Sequence, residues 1–420
     1  MNQTQTIRIT AEVTTAIPTP ENTPELDLTL EPIDRDELVP TQDPSIDLIV
    51  WLSPDIQANG NEAANEVFQT QIDQFLDSNP NIDLKVEFKV PVGQGGMINY
   101  FQTARTIAPS ILPDLILVPS DQIEEFINLE AGFSIDEYIT EDQAGDFFPA
   151  ASQMGQIEGG WYGYPYVATG LTHVAYNPTV ITETLGVTWD EFSETSARMV
   201  FPASGSTGAQ LLYELYSTEG GSIYDEEGGL AIDEDTLARS LQLIQDGRQS
   251  GLILNISESI ASEQESWLAY QQGEADMLFT SAERFLVQRQ TNEDLQFSSV
   301  PSSRGPVVSQ VEGWVWLIST PDPVRQQAAS QLMIWLSNSG NLAEWSFVSN
   351  HIPIKRSAIA AWPEDPFSSF VTSEMERAVA LDRTARGTVL DSFETALRIL
   401  FSSESPNVQS ISEQIAAEIN

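Results

Sequence analysis

Hydrophobic and polar positions follow two different periods along this chain, and the two periods alternate. A continuous apolar run over residues 46–54 ends in Ser-Pro, which is typical of a buried strand that opens into a loop. Residues 63–77 then carry their apolar side chains at helical spacing, namely Ala64, Val67, Phe68, Ile72, Phe75 and Leu76. An alternating strand over 82–90 and a second buried strand over 113–121 continue the order. This alternation predicts an α/β sheet whose ligands lie at the carboxyl ends of the strands.

The length of the chain predicts two lobes. Its 420 residues exceed the roughly 250–300 at which a single core stops growing. Hydrophobic residues make up 41% of the chain, and 18 Phe, 10 Tyr and 9 Trp can fill two cores. No apolar run approaches the roughly 18 residues that a membrane-spanning helix needs. We therefore expect a soluble chain with two lobes of ordinary size.

The first 45 residues differ in composition from the rest. Six prolines occur between residues 14 and 44, mixed with Thr, Glu and Asp, at Pro18, Pro20, Pro24, Pro32, Pro40 and Pro44. Such a segment buries too little apolar surface to fold, so residues 1–45 are predicted to be a disordered acidic tether. The start MNQTQTIRIT lacks the basic and apolar pattern of a secretory signal. Such a tether indicates an exported chain whose export segment has been removed, rather than a cytoplasmic chain.

The charge of the chain excludes some partners. The chain has 62 acidic and 18 basic residues, which gives a formal net charge of -44. Phosphate backbones and anionic lipid surfaces would repel such a body, so we expect no nucleic-acid partner. The acids are dispersed, which indicates a solvated surface, although attraction of a cationic ligand stays open. The absence of cysteine excludes disulfides, thiolate nucleophiles and zinc sites built on sulfur.

Residues 157–177 read IEGGWYGYPYVATGLTHVAYN, two strands separated by a Gly-containing turn. This segment, in its place after the strands and helix above, resembles the first crossover of extracellular solute-binding proteins of family 1, the maltose-binding type that serves ATP-driven importers. The later motifs TWDEF (188–192), WLAYQQGEADMLF (267–279), GWVWLIS (313–319) and HIPIKRSAI (351–359) follow in that family's order, with a helix over 324–337. Each motif is weak alone, but their order covers about nine tenths of the chain.

The resemblance implies a two-lobed, type II periplasmic-binding-protein-like α/β fold with the ligand cleft between lobes joined by three crossovers. By position, the crossovers fall near 168–172, 300–306 and 350–354. Lobe 1 would comprise residues 46–168 and 306–350, and lobe 2 residues 172–300 and 354–420. The chain would capture a small polar ligand, most plausibly a sugar or oligosaccharide, by hinge closure. Its partners would be importer membrane subunits, and we expect a tethered monomer on the outer face of the cell membrane or in the periplasm.

Candidate ligand contacts lie at strand ends, in the first crossover and in a Gly/Ser turn before a helix. They are Trp51, Ser53, Ser120, Asp121, Tyr166, Thr169, Ser204, Ser206, Thr207 and Trp314. Short hydroxyls at a turn suit hydrogen bonding to a neutral polar ligand, although ordinary turn chemistry explains residues 204–207 equally well. Trp314 offers an indole face for a sugar ring. Because Trp314 and Trp316 share one face of a strand, both could instead be core.

No catalytic motif is present. The histidines, His173 and His351, are far apart in sequence and are interpreted as structural. The chain has no Gly-x-Ser-x-Gly elbow, phosphate-binding loop or His-Glu-x-x-His motif. DEEGG over 225–229 lacks the ligand spacing of a calcium loop and is predicted to be a surface turn. We therefore expect no enzyme activity, cofactor or metal. Two alternatives remain: a carbohydrate-active enzyme with two cleft carboxylates, and a binding protein for a cation such as a polyamine.

Overall fold

The structure, a computed structural model, describes residues 45–56, 61–93, 95–182 and 184–419. The predicted tether therefore lies outside the described residues, apart from its last position. The strands are β1 Ile46–Leu52, β2 Ile82–Phe88, β3 Leu115–Pro119, β4 Gln156–Ile157, β5 Gly160–Trp161, β6 Gly163–Thr169, β7 Thr172–Tyr176, β8 Met199–Val200, β9 Met277–Ser281, β10 Gln296–Ser298, β11 Pro301–Ser302, β12 Gly305–Pro306, β13 Gln310–Ile318, β14 Ile352–Pro353 and β15 Val379–Ala380.

The helices alternate with these strands. They are α1 Glu62–Ser78, α2 Met97–Ile107, α3 Ile123–Asn128, α4 Glu141–Asp146, α5 Pro149–Gly155, α6 Trp189–Ser193, α7 Ser206–Thr218, α8 Glu234–Ser250, α9 Glu263–Gln271, α10 Ala282–Arg289, α11 Pro323–Leu336, α12 Ser339–Ser349, α13 Arg356–Ala360, α14 Pro366–Arg377, α15 Thr388–Phe401 and α16 Val408–Ile419. Within the described residues, no helix combines the length and apolar character needed to cross a bilayer.

Local signals in the sequence account for the first elements. The side chain of Asn61 accepts a hydrogen bond from the backbone of Ala64 and so caps α1, whose buried face includes Ile72 and Phe75. At α6, Thr188 and Glu191 form a reciprocal capping box. The predicted strand over 46–54 and helix over 63–77 are confirmed, within two residues, as β1 and α1.

Lobe 1 is built on a sheet that has seven strands in the described part of the chain. The order is β14-β6-β13-β3-β1-β2, with β15 beside β13. β1 runs parallel to β2 and β3, whereas β13 runs antiparallel to β3 and β6. Because β1 and β3 are parallel, the chain leaves both strands at the same edge of the sheet. The predicted α/β fold is confirmed, and the sheet of lobe 1 is mixed.

Lobe 2 is built on a smaller sheet of order β10-β7-β9-β8. Its core joins α7, α8, α15 and α16, which contribute Leu212, Leu241, Phe393 and Ile415. The aromatic ring of Phe393 packs edge-on against Tyr216 of α7. The C-terminal helices thus complete a core that residues 172–300 begin.

Three stretches of chain run between the two sheets. The first is the turn between β6 and β7, and the second joins β12 to β13. After β14 the chain stays against lobe 1, where Lys355 donates to the Tyr164 hydroxyl, and it enters the second core at Ala385. Helix α14 lies between, and Phe367 on it stacks against Phe285 of α10. The exact domain boundaries given above stay a prediction.

Candidate functional site

A cleft with a volume of about 820 Å³ lies between the two lobes. Lobe 1 lines it with Pro91 and Val92 after β2, with the turn after β3, and with β13. The opposite side is formed by Tyr213 of α7 and by Leu381, Asp382, Arg383 and Arg386, which lie in the segment that leads into α15. This volume falls within the roughly 300–1,000 Å³ usual for small-molecule sites.

Trp314 supplies an aromatic surface to this cleft. It lies on β13 between Pro119 of β3 and Val167 of β6, and a register shift between β13 and β6 follows it directly. The preceding Gly313 permits close packing, since a Cβ there would lie 2.6 Å from the sulfur of Met154. Trp314 is half-buried, whereas Trp316 is fully buried. Of the two tryptophans on this face of β13, Trp314 therefore lies in the cleft and Trp316 in the core.

Arg386 connects the lobes across the cleft. Its guanidinium donates to Asp121, just after β3, and to Glu312 on β13. Arg386 itself stands in the segment that lobe 2 anchors, where Asp382 accepts from the Tyr224 hydroxyl at 3.0 Å and Ala385 is buried. The three charged side chains remain 28 to 42% exposed. The single positive charge of Arg386 thus bridges two carboxylates and offsets part of their negative charge in the cleft.

Arg383 makes a second connection three residues earlier. Its guanidinium donates to Glu124 of α3 at 3.0 Å and to the carbonyl oxygen of Met154 at 3.1 Å. Met154 lies in the last turn of α5, whose carbonyl end attracts a cation. Both arginines therefore reach from the segment before α15 to lobe 1.

The turn between β6 and β7 is held by two buried carboxyl groups. Glu283 of α10 accepts from the backbone of Gly170 at 3.1 Å. Glu214 of α7 accepts from the Thr172 hydroxyl at 3.2 Å and from the backbone of Gln310, at the start of β13, at 3.0 Å. Burial raises the pKa of Glu283 to about 7 and that of Glu214 to about 8. Gly170 has φ +78°, which only glycine adopts readily.

Four of the predicted ligand contacts line the cleft: Ser120, Asp121, Thr169 and Trp314. They come from the end of β3, the first crossover and β13, so three separate segments bring them to one cleft. Their role in binding a ligand stays a prediction.

Three other predicted contacts are buried away from the cleft. Trp51 is fully buried, edge-on to Tyr100 and Phe101, and Ser53 is likewise inaccessible. Tyr166 is stacked on Trp345. None of the three offers surface to a ligand in this conformation, and side chains of helices α2 and α12 cover Trp51 and Tyr166.

Ser204, Ser206 and Thr207 lie at the N-terminal end of α7 and do not line the cleft. The backbone of Ser204 donates to the carbonyl of Ile260 at 3.0 Å, and Ser206 is exposed. The same helix reaches the cleft two turns later, through Tyr213. Burial, with Asp382 nearby, raises the pKa of Tyr213 to about 12, so its hydroxyl is a neutral donor at physiological pH.

Several cleft residues were not predicted, chiefly Glu312, Arg383 and Arg386. One sequence signal could have indicated the arginines. Only 18 of the 420 residues are basic, yet Arg383 and Arg386 lie within four positions of each other, directly before Gly387. Glu312 lies two residues before Trp314, which is one of the predicted contacts.

No group of three or more His, Asp or Glu residues in the described parts of the chain is arranged to hold a metal ion. His173 is fully buried against Phe285, Phe367 and Phe370, and burial lowers its pKa to about 3. Its interpretation as a structural residue is consistent with this packing.

Relatives of known structure share this architecture. The sugar-binding protein MalE from Xanthomonas citri superposes with a TM-score of 0.72 over 89% of this chain and 96% of its own, at 15% sequence identity. A maltotriose-binding protein from Thermus thermophilus gives 0.64 over 89% and 98%, at 17% identity. These similarities establish the fold.

Sequence comparison identifies the family. A maltotriose-binding protein from Pyrococcus abyssi is 26% identical over 183 residues, which span 41% of this chain and 35% of that relative's length. The profile of the family described as bacterial extracellular solute-binding protein matches residues 70–369. The match covers well over half of the chain, so the chain belongs to the bacterial extracellular solute-binding protein family.

Proposed function

We propose that this protein is the solute-capturing component of an ATP-driven importer and that it binds a saccharide between its lobes. The observation that carries the proposal is the composition of the cleft: an accessible indole, Trp314, faces hydrogen-bonding groups contributed by both lobes. A sugar presents apolar C–H faces to an aromatic ring and hydroxyls to polar groups. The names of the relatives, which bind maltotriose or sugars, agree with this choice.

Binding proceeds by closure of the lobes on the ligand. Ser120, Asp121 and Trp314 belong to lobe 1, whereas Tyr213 and Arg386 belong to lobe 2. A ligand that contacts both sets at once stabilises the closed form by its differential affinity for that form. The turn at Gly170, between the two sheets, is the natural pivot.

A cationic ligand has one observation in its favour. Four carboxylates line the cleft, at Asp121, Glu124, Glu312 and Asp382, against two arginines. Each of the four nevertheless already has a partner: Arg386 contacts two of them, Arg383 contacts the third, and the Tyr224 hydroxyl contacts the fourth. A neutral polyhydroxyl ligand can exchange hydrogen bonds with these groups and leave both arginine ion pairs in place, whereas a polyamine would compete with the arginines for Asp121, Glu124 and Glu312.

Catalysis is not part of the proposal. A glycoside hydrolase needs two carboxyl groups on either side of the scissile bond. Two of the cleft carboxylates, Asp121 and Glu312, instead share the single guanidinium of Arg386. The protein therefore releases the saccharide unchanged to importer membrane subunits. It acts as a monomer that is tethered outside the cell membrane.

Isothermal titration calorimetry with a ligand panel tests this proposal. The panel contains maltose, maltotriose, cellobiose, spermidine and arginine, and the saccharide mixtures are checked afterwards for cleavage products. We expect saturable binding of a saccharide without products. Trp314→Ala should lower the affinity by about tenfold, because an aromatic contact and its buried area are lost. The control Phe347→Ala removes an exposed ring of α12 outside the cleft and should leave the affinity unchanged. Binding of spermidine alone, or release of monosaccharide, would overturn the proposal.

A further inference from the structure

A second cavity of about 630 Å³ adjoins the cleft on lobe 1. It is lined by the hairpin of β4 and β5 and by the exposed face of α3. Glu158 and Gly159 make the hairpin turn with φ +50° and +85°. Pairing of Gln156 with Trp161 then holds the two short strands together. The cavity is therefore part of the folded scaffold rather than a gap between mobile loops.

The two cavities share a border. Glu124 and Arg383 line both of them, and the hydrogen bond of 3.0 Å between these side chains marks where one cavity passes into the other. Arg383 is fixed in place by the Met154 carbonyl at 3.1 Å. A ligand that extends from the cleft along lobe 1 would thus meet this ion pair first and the second cavity next.

The lining of the second cavity repeats the chemistry of the cleft. Tyr162 is half-buried, and its ring lies beside Gly160, which carries no side chain to cover it. Ile127 and Ile157 extend the apolar surface, while Asn128 and Gln156 offer amides. An aromatic ring flanked by amides and a charged pair is an arrangement suited to a sugar unit.

The two cavities together exceed the roughly 1,000 Å³ at the upper end of ordinary small-molecule sites, so they would accommodate a ligand longer than the cleft alone holds. We propose that the second cavity binds the distal units of a linear oligosaccharide whose first units occupy the cleft. This inference rests on the proposed function and narrows it: the physiological ligand is a chain, and Tyr162 with the Glu124–Arg383 pair determines the preference for its length.

Calorimetric titration with two linear series, maltose to maltoheptaose and cellobiose to cellohexaose, tests the inference on the full protein. We expect the affinity of the wild-type protein to rise with chain length beyond the trisaccharide in the series that binds. Tyr162→Ala should reduce the affinity for the longest member by about three- to tenfold and leave the shortest member unaffected. Tyr162→Phe keeps the ring and should retain the wild-type length dependence.

A matched pair of variants isolates the border between the cavities. Glu124→Ala should flatten the length dependence, whereas Glu125→Ala, which removes an exposed carboxylate on the same helix outside both cavities, should not. Equal weakening of all chain lengths by Tyr162→Ala, or no rise of affinity with length, would overturn the second site while leaving the cleft proposal intact. Failure of every short saccharide to bind the wild-type protein would overturn the proposed function, and the second site with it.

Discussion

Glu214 gives the sharpest physical prediction, because a fully buried carboxyl group holds the start of β7 and the start of β13 together. Its two acceptor contacts, to Thr172 and Gln310, both go to one carboxyl oxygen, and the other oxygen has no hydrogen-bond partner among the described residues. Burial is the main cause that raises its pKa from 4.5 to about 8. At pH 7 the folded protein therefore carries this group protonated, while the unfolded chain carries it ionised.

The pH dependence of stability follows from this difference. The pKa of Glu214 is higher in the folded protein than in the unfolded chain. Its contribution to the free energy of unfolding is therefore fully present below pH 4.5 and is lost as the pH rises towards 8. Each unit of pKa difference corresponds to about 1.4 kcal/mol. Between pH 4 and pH 7 the free energy of unfolding should thus fall by about 3 kcal/mol on account of this group alone.

Urea unfolding of the wild-type protein and Glu214→Gln at several pH values measures the effect. The amide keeps an acceptor for Thr172 and Gln310 but does not ionise, so subtracting the two curves cancels other groups, Glu283 included. We expect the variant to gain about 3 kcal/mol relative to the wild type from pH 4 to pH 7. Glu413→Gln, at an exposed position of α16, serves as the control and should show no comparable gain. A stability difference between Glu214→Gln and the wild type that does not change with pH would refute the reasoning.

Three further predictions concern single side chains. Burial lowers the pKa of His173 from 6.5 to about 3, so protonation of the unfolded chain at low pH destabilises the folded protein. Between pH 7 and pH 4 the free energy of unfolding of the wild type should therefore fall by about 3 kcal/mol more than that of His173→Phe, as measured by denaturant unfolding at the two pH values. Arg386→Ala removes partly exposed ion pairs, so it should cost only about 1 kcal/mol of stability yet increase the radius of gyration of the unliganded protein in small-angle scattering. Trp316→Ala should destabilise lobe 1 by about 3–5 kcal/mol, whereas Trp314→Ala should cost clearly less, as measured by urea unfolding. Equal losses from the two tryptophans would contradict the assignment of Trp314 to the cleft.

The regular elements could be predicted from the sequence because their signals are local. The helical spacing over 63–77 and the capping residues Thr188 and Glu191 each act within a few positions of the element that they determine. Ser120 and Asp121 follow a predicted strand directly, so they could be placed at a carboxyl end of the sheet. In the structure β1 and β3 are parallel, and this edge faces the cleft.

The cleft itself could be predicted only in part, because distant segments assemble it. Asp121, Glu312 and Arg386 meet from three separate parts of the chain, and no local pattern links them. Burial was equally hard to judge: helices cover both faces of the central strands, so an apolar residue such as Trp51 or Tyr166 fits a core and a binding surface alike. Only the three-dimensional packing distinguishes Trp314 from these residues.

Small-angle X-ray scattering with and without maltotriose tests lobe closure most directly. A ligand that contacts Tyr213 and Trp314 at once draws the two lobes together, so the radius of gyration should decrease as calorimetrically measured binding approaches saturation. A saturated protein whose scattering curve matches that of the unliganded protein would contradict capture by hinge closure.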